Sequence, residues 1–411
     1  MKSDLLALMR DANLDALLVL GDALHNPAMV YFTGVAHVTE AALVLKRGED
    51  PILFFNPMER DEAASTGLQT KGFAPYDYRK LFEESGNNAQ LAKARLLQLA
   101  LTDVDLTSGR VAVYGQRDTS ESFGLLTALE ELMPSLEIVS DYADPVLLHA
   151  RSTKDEGEIA EMRKIGEQTT EVVAQVADYL ASQRAKEGIL VNAEGQPITV
   201  GNVKSHIFLW LAERGLDNPH GTIFAPGAEG GVPHSTGSPD ALLRLGEPIV
   251  FDIFPVQAGG GYYFDFTRTW CLGHATDEAQ SLYEDVRYVY DTIMRELKMD
   301  QLCSLYQDRT CDLFAERGHP TVKEDPQTEV GFVHGLAHGL GLDVHEAPRL
   351  SRDATERDLL RAGSVVTIEP GLYYPERGLG CRLEDAVYVR PDGKMEVLAP
   401  YPLDLVIPLK S

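Results

Sequence analysis

The chain is short of positive charge. Against 63 Asp and Glu stand only 37 Lys and Arg in 411 residues, a formal net charge of -26. Nucleic acid and anionic membrane surfaces need a basic footprint, so neither is expected as a partner. Cysteine is scarce too: Cys271, Cys303, Cys311 and Cys381 are scattered without a CxxC pair. That argues against a disulfide framework or a thiolate metal site, and fits reduced thiols in a cytoplasm. No apolar run approaches the length that spans a bilayer. The opening MKSDLLALMRDANLDALLVL carries charges at Lys2, Asp4, Arg10, Asp11 and Asp15, so no secretory apolar segment is expected there. Internal repeats and low-complexity stretches are absent as well.

What is present is ordinary globular material, 44% hydrophobic and 24% charged. The length is generous for one core, and two domains are expected, 1–150 and 151–411. In the first, short apolar runs at Asp15–Leu20, Ala41–Lys46, Pro51–Phe55 and Arg110–Tyr114 read as strands. Asn88–Ala100 and Ser120–Leu132 read as helices, the second stopped by Pro134. This is an α/β pattern without a phosphate loop or paired catalytic residues, and its expected role is packing and dimerisation. Past the boundary, Asp155–Gln183 keeps helical spacing behind an acidic first turn. Glu187–Pro197 reads as a turn-containing insertion broken by Asn192, Gly195 and Pro197. Helices are expected at Val203–Arg214, Asp277–Leu297 and Gln301–Arg317. Strands are expected at Ile223–Ala225, Glu247–Phe254, Tyr262–Trp270, Val365–Glu369 and Arg382–Val389. Helices around a mostly antiparallel sheet make the second domain α+β.

Within that domain Asp252, Asp265, His338, Glu369 and Glu384 each sit in a strand-like segment or at its end. Gathered without metal, the carboxylates would repel, and some would have to take up protons to stay buried. Two dications would cancel the charge, so the pattern points to a pair of divalent ions. Asp252 lies between Phe251 and Ile253, and Asp265 between Phe264 and Phe266, with Gly259, Gly260 and Gly261 as the turn between two antiparallel strands. The bland alternative pairs Asp252 with Arg268 as an internal ion pair. In GFVHGLAHGLGLDVHEAPR, Gly335, Gly339 and Gly341 disfavour a helix, so His334 and His338 are not a helical HExxH pair. A single histidine there would be an interior hydrogen-bonding group; three within twelve residues, His345 included, suggest a site. Glu369 ends a strand ahead of Pro370 and Gly371. Arg382 and Glu384 share a strand face, so Arg382 is expected to orient Glu384, unless the two form a surface pair worth little.

PHSTG, FDFTRT, AHGLGLDVHE, TIEPGLYY and RLEDAV occur in this order over the last 260 or so residues. In these segments the chain resembles the pita-bread metallopeptidases: prolidase, aminopeptidase P and methionine aminopeptidase, with creatinase a metal-free relative. The first 150 residues resemble, more loosely, the smaller domain of prolidase, aminopeptidase P and creatinase. The resemblance implies that Asp252 binds one metal, Asp265 and Glu384 bridge both, and His338 and Glu369 complete the other. It implies that His234 and His345 contact substrate and transition state, that Arg382 is the arginine ahead of the last glutamate, and that the protein is a homodimer. The Asp252–Asp265 interval is longer than is usual in that family, Ala337 stands where glycine is commoner, and Glu187–Pro197 has no counterpart.

The expected reaction is hydrolysis of the Xaa-Pro bond in dipeptides or short peptides. Two ions about 3.5–4 Å apart would activate a bridging water as hydroxide. Glu369 would shuttle the proton to the leaving nitrogen, and His234 and His345 would steady the oxyanion. Carboxylate-rich coordination with one imidazole favours Mn²⁺, with Co²⁺ or Zn²⁺ as alternatives. Arg349 of HEAPR is expected to hold a dipeptide's free carboxylate, against the alternative of a plain surface arginine. Three other readings stay open: an Xaa-Pro aminopeptidase on longer peptides, a metal-dependent C–N hydrolase or lyase of the same fold, and a non-catalytic binding protein that has kept the fold, which predicts eroded ligands where none is missing here.

Overall fold

A computed structural model describes residues 4–143, 145–350, 354–355 and 357–409. The chain divides into two compact units, Met1–Arg151 with Gly259–Gly261, and Ser152–Ala258 with Tyr262–Ser411.

The first unit is built on strands β1 (Ala16–Gly21), β2 (Ala41–Lys46), β3 (Ile52–Phe55), β4 (Gln69–Gly72), β5 (Gly109–Gly115) and β6 (Leu136–Val139). They lie in the order β4-β3-β2-β1-β5-β6. Only β2 runs against its neighbours; β1 is parallel to β5, β5 to β6 and β3 to β4. The central β1 is apolar along its whole length and buried on both faces, as a strand covered on two sides must be. Helices α1 (Ala89–Thr102) and α2 (Thr119–Leu132) cover one face through Leu97, Leu101, Leu125 and Leu129. Asn88 and Asp118 cap them, each accepting a backbone N–H of the first turn.

The second unit opens with α3 (Glu156–Ala181), held at its start by a reciprocal capping box between Asp155 and Glu158. Ile159, Met162, Ile165, Val172, Val176 and Leu180 recur at helical spacing on its buried face. The segment read as an insertion begins in the turn of a hairpin, β7 (Arg184–Lys186) and β8 (Ile189–Val191), and ends in a second turn closed by Asn192 N–H to the Gln196 carbonyl at 2.9 Å. The hairpin's two-residue turn has Glu187 and Gly188 both at positive φ, the geometry that suits the strand twist. After α4 (Val200–Glu213) comes a sheet of β9 (Thr222–Pro226), β10 (Pro248–Ile253) and β11 (Phe266–Ala275), antiparallel in that order. Helices α5 (Asp277–Glu296) and α6 (Ser304–Glu316) follow.

The remaining strands are β12 (Ala337–Gly339), β13 (Glu346–Leu350), β14 (Val365–Ile368), β15 (Gly371–Tyr374), β16 (Leu379–Arg382), β17 (Asp385–Val389) and β18 (Met395–Val397). An antiparallel sheet runs β13-β12-β14-β17-β18, and β15 pairs with β16 as a hairpin. A bridge between Thr267 and Glu384 ties β11 to the β16–β17 junction. Apolar side chains of α3 and α4 meet Phe224, Phe251 and Trp270 in one core; those of α5 and α6 meet Val366, Val387 and Phe332 in another. Among the described residues no helix is long and apolar enough to cross a membrane. No disulfide joins the four cysteines, all of them buried.

Two local expectations are corrected. The strand read as Tyr262–Trp270 begins only at Phe266, because Gln257 and Tyr262 first close an inner turn, Gln257 N–H to Tyr262 O at 3.0 Å. Asp252 therefore sits opposite Thr267, and Asp265 stands just ahead of its strand. The other correction concerns Arg268. It pairs with Asp385 at 2.9 Å, not with Asp252, and donates to the Glu384 carbonyl at 2.9 Å.

Candidate metal centre

Each expected metal ligand comes from a rigid strand or its immediate end. Asp252 is on β10, Asp265 precedes β11, His338 is the middle of β12, Glu369 follows β14, and Glu384 lies between β16 and β17. Ladder pairing sets their depth. Glu384 exchanges backbone hydrogen bonds with Thr267, its N–H donating to Thr267 O at 3.0 Å. Ligand atoms of Asp265, His338 and Glu384 fall within 4.8 Å of one another. His338 Nε2 is also 3.5 Å from a Glu369 oxygen and 3.6 Å from an Asp265 oxygen. Asp252 is outside that tight group and is gripped by Arg382 Nη2 at 2.5 Å.

The charges in this cluster are in conflict. Burial, then the neighbouring Glu384, Asp252 and Glu369, push the Asp265 carboxyl well above the carboxylate range. Burial and Glu384 do the same to Glu369. Glu384 is pushed up to about 8, by burial first and Asp252 next. His338 is driven down to about 3, chiefly by burial and then by His345, so its imidazole is neutral and able to ligate. Asp252 Oδ1, Asp265 Oδ1 and Glu384 Oε1 are buried with no hydrogen-bond partner among the described residues. Leaving such oxygens unmatched costs about 1–3 kcal/mol apiece, and more when charged. Cations would satisfy all three at once and return the carboxyls to their ionised form. Oxygen donors with one imidazole are a set that hard divalent ions accept. The residues present thus fit a divalent metal centre.

The supporting contacts differ from the expected ones. Arg382 does not orient Glu384 directly. Its guanidinium donates to Asp252, to Thr267 Oγ1 (3.3 Å), to Tyr373 Oη (2.6 Å) and to the Pro233 carbonyl (3.3 Å). Thr267 Oγ1 in turn donates to Glu384 Oε2 at 2.7 Å, so Arg382 reaches Glu384 only through that hydroxyl. The surface-pair alternative fails because Arg382 and Glu384 are both buried. Thr267, Tyr373 and His334, whose Nε2 lies 2.8 Å from Tyr373 Oη, are further members of this network beyond the residues expected from sequence. A signal existed for Thr267, which follows Asp265 by two and shares its face under strand alternation.

A cavity of about 630 Å³ opens over the centre. His234, His345 and Arg349 line it beside the metal-ligand candidates, with His220, Phe254 and Val344 elsewhere on the wall. His345 packs edge-on against His338, ring centroids 4.2 Å apart. Burial, followed by His234, lowers its pKa. The loop that presents His345 is turned by Glu346, whose Oε1 accepts the N–H groups of Leu342 (2.9 Å) and Asp343 (3.1 Å). Lys154 Nζ lies 3.2 Å from the other Glu346 oxygen, with both side chains buried. Gly341 admits that carboxylate: a Cβ there would lie 2.4 Å from Glu346 Oε2. Arg349 is exposed and stands opposite His338 in the β12–β13 register, which turns both side chains to one face.

Residues 160–391 match metallopeptidase family M24, and residues 2–141 match the creatinase/prolidase N-terminal domain. The chain is 29% identical over 383 residues to the putative dipeptidase YkvY of Bacillus subtilis, covering 92% of each. It is 30% identical over 172 residues to the Xaa-Pro dipeptidase of Pyrococcus furiosus, 42% of this chain and 45% of that one. The fold matches the crystal structure of prolidase from Pyrococcus horikoshii with a TM-score of 0.71 at 22% identity, over 98% of both chains. With its buried carboxylate and imidazole cluster inside the matched region, the chain belongs to metallopeptidase family M24.

Proposed function

We propose that the second unit is the catalytic domain of an Xaa-Pro dipeptidase working with two divalent ions. Asp252, Asp265, His338, Glu369 and Glu384 would hold the ions. The observation that carries this is the gathering of Asp265 and Glu384, each with an unpartnered buried carboxylate oxygen, around the neutral His338, with Asp252 offering a third such oxygen. When bound, such ions polarise the scissile carbonyl and make a coordinated water acidic enough to attack it. Mn²⁺ suits the oxygen-rich donors best, with Co²⁺ or Zn²⁺ as alternatives.

The chain's own residues do the rest. Arg382 holds Asp252 through Oδ2 so that Oδ1 stays available, and Thr267 holds Glu384 through Oε2 so that Oε1 does. The nitrogen of an Xaa-Pro bond carries no hydrogen and must gain a proton to leave as a secondary amine. Glu369 is the carboxylate that would accept the proton released by the attacking water and pass it to that nitrogen as the C–N bond breaks. His234 and His345 face the cavity, where their ring N–H groups would donate to the carbonyl oxygen as negative charge develops on it. Arg349, on the same face as His338, is the partner proposed for a dipeptide's free carboxylate. The dipeptidase names carried by full-length and partial relatives support this choice. A homodimer in the cytoplasm acting on small peptides completes the proposal.

The second reading is an Xaa-Pro aminopeptidase, favoured by the exposure of Arg349, which leaves room for a longer chain to pass. Arg349→Ala separates the two. A dipeptidase loses about tenfold or more in kcat/KM on Xaa-Pro, the weight of a charge-assisted contact, and much less on Xaa-Pro-Yaa. Equal losses on both substrates would remove the dipeptidase assignment.

A further inference from the structure

The first unit carries a cavity of about 410 Å³ whose lining lies wholly within that unit. Its position follows from topology. Five of the six strands run parallel, and Leu20 is the last residue but one of β1, Asn56 follows β3, Phe73 follows β4 and Arg117 follows β5. All four line the cavity, so it sits outside the carboxyl ends of the parallel strands, where open α/β sheets bind ligands. The strand ends are drawn together there. Gly115, at φ +127°, would put a Cβ 1.9 Å from the Leu20 carbonyl oxygen. No other residue permits that approach.

The chemistry of the lining is split. Ala41, Ala42, Leu96, Leu97 and Leu125 form an apolar floor. At the rim, Lys93 Nζ lies 2.7 Å from Glu121 Oε1 and 3.4 Å from Glu40 Oε1, while Arg117 Nη2 lies 3.1 Å from the same Glu121 oxygen. Two cations therefore converge on one carboxylate oxygen, and Glu40 stands apart as a looser acid. Lys93, Arg117 and Glu40 line the cavity, and Glu121, outside its lining, offsets one of the two cations. The lining charges match a molecule carrying both signs, with a carboxylate for Lys93 and Arg117 and an ammonium for Glu40. The volume is in the range that holds small ligands. We propose that this crevice is a binding site for a small apolar zwitterion, an amino acid or dipeptide with an aliphatic or aromatic side chain.

The proposal is independent of the reaction at the metal centre, and the experiment keeps the two apart. L-phenylalanine, N-acetyl-L-phenylalanine and phenethylamine are titrated calorimetrically into the whole chain, metal-loaded and metal-stripped. Phenylalanine should give saturable heat in both forms, and each analogue lacking one charge should bind at least tenfold more weakly. Arg117→Gln should weaken phenylalanine at least tenfold. Leu96→Trp, which fills the floor without touching the charges, should abolish binding while peptide hydrolysis is retained. Absence of saturable heat with phenylalanine would overturn the proposal. So would equal binding of an analogue, loss of binding on metal removal, or wild-type affinity in both variants.

Discussion

Stripping the metal from this protein should make its stability fall as pH rises above 6.5. The sign follows from the carboxyls. Glu384 is pushed from 4.5 to about 8 in the folded chain, and Asp265 and Glu369 are raised well above their ordinary values. Between the unfolded and folded pKa the native state binds a proton that the unfolded state does not. Stability then declines by about 1.4 kcal/mol per pH unit for each such proton. Three histidines work the other way, His345 with its lowered pKa among them. His334 and His338 are depressed to about 3, so they add stability as pH rises towards 6.5 and nothing beyond it. The clean window is therefore pH 6.5 to 8, below the range where buried thiols matter. Glu384 alone predicts a loss of about 2 kcal/mol there, and a second retained proton about doubles it. A domain of this size shifts by about 2–4 °C per kcal/mol, giving a fall in Tm of about 4–8 °C or more. Scanning calorimetry of chelated protein at several pH values measures it, and saturating Mn²⁺ should flatten the dependence. A metal-free Tm that is constant or rising across this window would refute the electrostatic reading of the centre.

Other perturbations probe separate contacts. Glu384→Ala should abolish hydrolysis and lower metal content towards one ion or none per chain, measured by elemental analysis; full activity with unchanged content would remove its assignment. Thr267→Val removes the hydroxyl between Arg382 and Glu384 and should weaken metal affinity about 10–100-fold, read by chelator competition. Arg382→Met leaves Asp252 buried without its counter-charge and should destabilise the metal-free chain by about 3–5 kcal/mol in urea. Gly341→Ala drives a Cβ into Glu346 and should cost about 1–3 kcal/mol while lowering kcat through the displaced His345, with metal content unchanged.

What could be read from sequence followed the strength of local signals. The capped periodic run at Asp155–Gln183 forms a helix over Glu156–Ala181, and Ala41–Lys46 is a strand end to end. The carboxylates announced themselves because charge inside apolar runs such as Ile249–Ile253 is expensive and needs a cause. Weak signals went unread. β4 (QTKG) has no apolar pattern, and β12 and β13 carry His, Gly and Pro, so they are strands only through their partners. Partner choice was the other blind spot. Arg382 shares a face with Glu384 by local alternation, yet β16 crosses close enough to β10 for the guanidinium to take Asp252, which is 130 residues away. The arginine that does serve Asp385 and the Glu384 backbone, Arg268, lies within sight of Asp252 in sequence and was the wrong partner for the same reason.

The most direct measurement is anomalous diffraction from crystals of stripped protein reloaded with Mn²⁺, with data above and below the manganese edge. Two peaks per chain, both within bonding distance of Asp265 and Glu384 and divided between Asp252 on one side and His338 with Glu369 on the other, are predicted. No peak among these side chains, or density placed elsewhere with their oxygens still unpartnered, would contradict the account.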